Sequence, residues 1–146
     1  MGKLTLNGAS RIVDAALERA GELNLKPLTV AVLDAGGHLV AFKRQDRSGI
    51  LRPDIAQAKA WGALGMGLGG RELARRADHA PAFFTALASV SGGRIAPVPG
   101  GVLIKDDEGD IIGAVGISGD LPDNDETCAV HGITQAGLEA ETGGAH

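Results

Sequence analysis

Aromatic side chains are scarce in this chain of 146 residues: Phe42, Trp61, Phe83 and Phe84 make up the whole set, and tyrosine is absent. A base-stacking platform for single-stranded nucleic acid needs rows of such rings, so that class is excluded. An excess of basic residues is lacking too. Lys and Arg number 14 against 18 Asp and Glu, a net charge of −4, whereas a phosphate-backbone binder presents a basic face. Cysteine occurs once, at Cys128, which leaves no intrachain disulfide framework and no cysteine-built zinc site. No apolar run approaches the ~20 residues that cross a bilayer. Met1-Gly2-Lys3-Leu4-Thr5 lacks the apolar stretch of a secretion signal. Gly2 is outside a myristoylation context, because position 6 is Leu6 rather than Ser or Thr. A cytoplasmic location is the expectation.

Small residues fill the space these absences leave. Glycine occurs 23 times, about twice the ~7% share of an average chain, and alanine matches it. The length suits one domain, 1–146, able to bury roughly two thirds of its unfolded surface without metal or disulfide.

Apolar residues at Ala9, Ile12, Val13, Ala16, Leu17 and Ala20 trace the stripe of an amphipathic helix. Thr5 or Asn7 can cap its start, and Gly21 or Asn24 with Pro27 marks its end. Residues 28–34 are β-branched and almost wholly apolar, as a strand buried on both faces would be. Ala35-Gly36-Gly37 supplies a hairpin turn, and 38–43 returns as a second strand. A second hairpin spans 101–118, turning at 106–109. Its closing strand carries Gly113 and Gly116, and glycine inside a strand marks the close approach of another backbone or a ligand. Helical segments follow Pro53, cover 71–78 and 81–90, and open again after Pro122, where Asp123, Asp125 and Glu126 suit the helix dipole. The end of the chain, 139–146, reads as a flexible tail. Two hairpins separated by helices predict an α+β domain with an antiparallel sheet.

Val30-Ala-Val-Leu-Asp-Ala-Gly-Gly-His-Leu-Val40 with Arg44 and Asp46, Ile55-Ala-Gln-Ala-Lys59-Ala60, Pro97-Val-Pro-Gly-Gly-Val102, Ile112-Gly-Ala-Val-Gly-Ile-Ser-Gly119 and Asp125-Glu126-Thr-Cys-Ala129 stand in one order along the chain. In that order they resemble the GlcG/HbpS family, the haem-degrading domain family that includes the C-terminal domain of PduO-type proteins. The resemblance runs over about residues 4–138. It implies a five-stranded antiparallel sheet flanked by helices, profilin-like in character, assembled into symmetric homo-oligomers. It also implies an association with haem or corrinoid metabolism in some members, while others sit in small-molecule catabolism. Fold transfers from such a likeness more firmly than function.

Haem asks for an apolar slot, cations for two propionates and an axial ligand. Arg44, Arg52 and Lys59 offer the cations, and the glycine-lined strand at 113–119 with small side chains offers the slot; Gly100, Gly101, Gly116, Ser118 and Gly119 are the candidate ligand-binding backbones. Tyrosine ligation is excluded by composition. Among the histidines, His38 follows a turn and reads first as solvated, second as a ligand. His131 lies on the last helix and reads first as packed, second as a ligand. His79 reads as surface and His146 as tail. No metal site is expected, since Glu18 and Glu22 read as a solvated face and the acids at 123–126 as helix-start residues.

The competing reading is an enzyme acting on a short carboxylate, an isomerase, lyase or hydrolase, with Lys59 and Asp34 as its catalytic residues among the backbones of Pro99-Gly100-Gly101 and of Gly116, Ser118 and Gly119. A lysine in an Ala-rich helix is costly to bury unless paired. It therefore meets a carboxylate such as Asp34 or Asp46, or takes an anionic substrate, the ion pair being the commoner outcome. A third reading is a non-catalytic accessory oligomer. Cys128 reads as a small buried hydrophobe, with a nucleophile beside His131 as the lesser alternative. Gly65 to Gly70 formally fits G-x-G-x-x-G, but it follows a helix rather than a strand and so reads as an inter-helix connection.

Overall fold

The computed structural model describes residues 3–144. Its elements run α1 (Leu6–Glu22), β1 (Thr29–Asp34), β2 (Leu39–Arg44), α2 (Arg52–Met66), α3 (Gly70–His79), α4 (Pro81–Val90), β3 (Gly101–Lys105), β4 (Ile111–Ser118), α5 (Pro122–Gln135) and β5 (Glu139–Glu141). The strands form one antiparallel sheet in the order β2-β1-β4-β3-β5. This is the α+β class that two helix-separated hairpins require.

Helix α1 starts at Thr5, whose Oγ1 accepts the Gly8 N–H at 3.0 Å. Of the two candidate caps it is Thr5 that closes the first turn, a bond that stabilises such a start by about 1 kcal/mol. Helix α2 stops at Gly67, which takes the left-handed conformation at φ 67° that a side chain resists. The glycine run therefore connects α2 to α3 as expected.

Helices α1 and α5 cover one face of the sheet, where Ile12, Val13, Val30, Val32, Val115, Ile117 and Ile133 pack into the larger core. Helix α2 covers the other face, over Leu33, Leu103 and Ala114. It lies very close. A methyl group on Gly116 would stand 1.8 Å from the Ala56 carbonyl oxygen, and one on Gly101 2.3 Å from that of Lys59. The close approach inferred from glycine in β4 is thus made by helix backbone at Gly116, and by the Leu33 carbonyl of β1 at Gly113.

Two features depart from expectation. Residues 139–141, expected in a flexible tail, form β5 along the edge of β3. The Arg71 N–H then donates to Thr142 O at 3.1 Å, which ties the following residues to α3. The pairing covers the hydrogen-bonding edge that β3 would otherwise present. His146, read as tail, lies outside the described residues, as does Gly2. The second departure is α4. It is apolar in sequence, yet none of its ten residues is buried, and Phe83 and Val90 remain 53% and 81% exposed.

Candidate functional site

The β1–β2 turn builds its own polar centre. One carboxylate oxygen, Oδ1 of Asp34, accepts the Gly36 N–H at 2.9 Å and the His38 N–H at 3.0 Å, and lies 3.1 Å from His38 Nδ1. The His38 backbone N–H contributes most to holding the Asp34 carboxyl below its ordinary range. An ionised carboxylate can only accept, so Nδ1 of His38 carries the proton and donates. The lone pair of the neutral ring is therefore on Nε2. The ring is 80% exposed. It stands beside a cleft of about 700 Å³ whose apolar lining is Leu4, Ala35, Ile111 and Ile112, with Lys3 and Asp110 also in the wall.

The other candidates gather at the far end of β4, around Lys59. Its Nζ donates to the Ile117 carbonyl at 2.8 Å and to Asp125 Oδ2 at 3.2 Å, and the two side chains are only 4% and 1% exposed. The structure corrects the expected partner: Lys59 meets Asp125, neither Asp34 nor Asp46. Burial outweighs the pairing on both sides, pulling the Lys59 amine below its ordinary value and pushing the Asp125 carboxyl up to about 6. The second Asp125 oxygen accepts the Asp120 N–H at 3.0 Å. Gly100, at φ 114°, could not carry a Cβ without meeting Lys59 Nζ at 2.8 Å. Ser118 is fully buried and accepts from Arg52 Nη1 at 2.9 Å, while Gly119 is pressed against the Pro27 carbonyl. Lys59, Gly100, Gly101, Gly116, Ser118 and Gly119 do converge, but their neighbours here are α2, α5 and the strand ends.

With that geometry in hand, the comparisons with known proteins are specific. Residues 4–134 match the family model described as haem degrading protein HbpS-like. The chain belongs to the HbpS-like family. It is 38% identical over 110 residues to the protein GlcG of Escherichia coli K12, covering 75% of this chain and 77% of GlcG. It is 29% identical over 143 residues to the corrinoid adenosyltransferase PduO of Salmonella typhimurium LT2, covering 98% of this chain but only 40% of PduO. Among solved structures, the PduOC:haem complex superimposes with a TM-score of 0.84 at 28% identity, covering 94% of this chain and 97% of that one.

In this HbpS-like chain the remaining candidates are scattered. His131 is half-buried on α5, and His79 is exposed with Nδ1 2.8 Å from the Arg75 carbonyl oxygen. Arg44 Nη1 donates to Ser48 O at 2.8 Å and lines a separate groove with Lys43, Leu17 and Leu25. Cys128 is fully buried, and burial, reinforced by the Asp125 charge, pushes its thiol up to about 11. That makes it a small hydrophobe rather than a nucleophile. Sequence reasoning missed Lys3 as a cleft residue and read Asp125 only as a helix-start acid. A lysine stranded in an Ala-rich helix signals that some carboxylate is near, but not which one. No group of three or more His, Cys, Asp or Glu able to hold a metal ion occurs among the described residues, and no described helix is long and apolar enough to cross a membrane.

Proposed function

We propose that this chain binds haem or a related tetrapyrrole in the cleft beside the β1–β2 turn, with His38 Nε2 as the iron ligand. The observation that carries the reading is the Asp34–His38 pair. A carboxylate on Nδ1 fixes the ring tautomer and raises the basicity of the opposite nitrogen, as outer-sphere carboxylates do for ligating histidines. The lining fits the group: Leu4, Ile111 and Ile112 offer apolar surface to a flat macrocycle, and the Lys3 ammonium suits a propionate. Family membership and the haem complex of PduOC support the ligand class. Bound haem would supply an iron centre whose axial ligand tunes its redox behaviour. The chain's own part is to hold and orient that group.

Lys59 and Asp34 support the carboxylate-enzyme reading poorly, because the lysine is sealed against Asp125 while Asp34 is occupied by the turn. Assembly with copies of itself belongs to the proposal as well, and the uncovered apolar helix α4 supports it.

A haem titration followed by Soret absorbance tests the ligand. Saturation at a fixed haem-to-chain ratio is expected, with His38→Ala weakening binding at least tenfold and Asp34→Asn about tenfold. A shallow, non-saturating drift, or full affinity in His38→Ala, would remove the proposal.

A further inference from the structure

On the opposite side of the same hairpin turn lies a second cleft, of about 470 Å³. Its floor is one face of α2, where Asp54, Gln57, Ala58 and Trp61 recur at the helical spacing. Gly37 of the turn closes one side, and Gly92, Gly93 and Arg94 of the α4–β3 loop close the other.

Arg94 is held in place but not neutralised. Its guanidinium lies 3.9 Å from the Trp61 ring centroid, and Nε donates to Ser91 O at 2.7 Å. The Ser91 hydroxyl in turn accepts the Arg94 backbone N–H at 3.2 Å. Neither Nη of Arg94 donates a hydrogen bond or meets an acid partner among the described residues, whereas Arg11, Arg19, Arg71, Arg75 and Arg76 all meet carboxylates. A stacked guanidinium with an open fork is preorganised for one bidentate anion, and a carboxylate matches that fork. Gly92 and Gly93 have open space where a Cβ would stand, so the rim does not obstruct approach to the fork.

Besides the Trp61 indole N–H, a donor, the cleft presents two acceptors, on Gln57 and Asp54. Gln57 donates one Nε2 N–H to Pro53 O at 3.2 Å, which leaves its second N–H and its carbonyl oxygen, the acceptor used here. Asp54 is a carboxylate in the first turn of α2, where the helix dipole favours its charge. A ligand that satisfies this set offers a carboxylate at one end and a hydrogen-bond donor at the other.

We infer that the cleft between Arg94, Trp61 and Gln57 is a binding site for a small hydroxy-carboxylate, whose carboxylate sits on the Arg94 fork and whose hydroxyl donates to Gln57 or Asp54. The site shares no lining residue with the haem cleft and stands independently of that reading.

Trp61 is the only tryptophan of the chain, so its fluorescence reports on this cleft alone. Titrating the purified chain with 3-hydroxybutyrate is expected to give a saturable change in emission, matched by a calorimetric titration. Butyrate, which lacks the donor, is expected to bind five- to tenfold more weakly. Arg94→Ala should weaken binding at least tenfold, and Arg94→Lys, which keeps the charge but not the fork, nearly as much. Gln57→Leu should lower affinity for the hydroxy acid and leave butyrate unchanged, which a fold-level disturbance would not do. No saturation by either method, equal affinity for butyrate, or unchanged binding in Arg94→Ala would each overturn the assignment.

Discussion

Lys59 and Asp125 illustrate how much one buried pair asks of its surroundings. Removing a charge from water costs several kcal/mol, and the pairing, with the added bonds to the Ile117 carbonyl and from the Asp120 N–H, offsets only part of it. Lys59→Met should therefore cost about 3–5 kcal/mol at neutral pH, since it strands a buried carboxylate. The double variant Lys59→Met/Asp125→Leu should be more stable than Lys59→Met alone, and paired denaturant melts of the two decide it. The pH dependence follows from the same burial. Folded Asp125 keeps its proton up to about pH 6, whereas the unfolded chain releases it near the ordinary 3.8. Between those values the folded state binds more protons, so this group's contribution to stability falls as pH rises through that window. The advantage of the wild type over Asp125→Asn should accordingly be larger at pH 4.5 than at pH 6.5, by on the order of 1–2 kcal/mol. Lys59 acts oppositely and at higher pH: its lowered value makes its contribution grow as pH climbs toward 10.5. Cys128 gives a simpler outcome. With its thiol buried and pushed up to about 11, it should resist a thiol-reactive dye at pH 8 and react fully once the chain is unfolded. Labelling at equal rates in both states would contradict the burial.

At the scale of elements, the glycines of β3 and β4 set how near α2 can lie. Gly116→Ala would drive a methyl group into the Ala56 carbonyl oxygen, and backbone on both sides cannot yield. Its cost should exceed about 4 kcal/mol, enough to prevent folding of a marginal domain. Gly92→Ala meets nothing within 4 Å and should cost only the ~1–2 kcal/mol of its left-handed conformation, at φ 66°. Soluble yield and melting temperature of the two variants separate the effects. These glycines, both hairpins and α1 were legible in the sequence because their signals are local: a period, a turn dipeptide, a cap. Strand β5 was not. Glu139-Ala140-Glu141 has no apolar alternation, and it becomes a strand only because the edge of β3 offers it a partner. The same reason hid the partner of Lys59, which lies on a different element 66 positions away. It also hid the Arg94–Trp61 stack, since neither residue announces the other along the chain. His38 and Asp34 were named separately from the sequence. Their joining through one carboxylate oxygen is a property of the turn.

For the whole molecule, the distribution of apolar surface is the informative feature. The sheet is covered on both faces, yet the most apolar helix, α4, lies outside with Phe83 against Phe84 edge-to-face at 5.8 Å. Solvent-facing Phe83 and Val90, with half-buried Phe84, on a helix none of whose residues is buried amount to an exposed patch of the kind that marks an interaction surface. Alanine- and glycine-rich helices bury little area each, so a core this small gains from burial between copies. Self-association through α4 should place the chain above its 14.8 kDa monomer mass in size-exclusion chromatography with light scattering. Phe83→Glu should return it to the monomer at the same concentration and lower its melting temperature only through the lost association. The sheet and the His38 cleft are built without α4, so haem binding by Phe83→Glu would show that the His38 cleft is complete within one chain. If the wild type is already monomeric, or Phe83→Glu leaves the mass unchanged, α4 is not the surface on which copies meet.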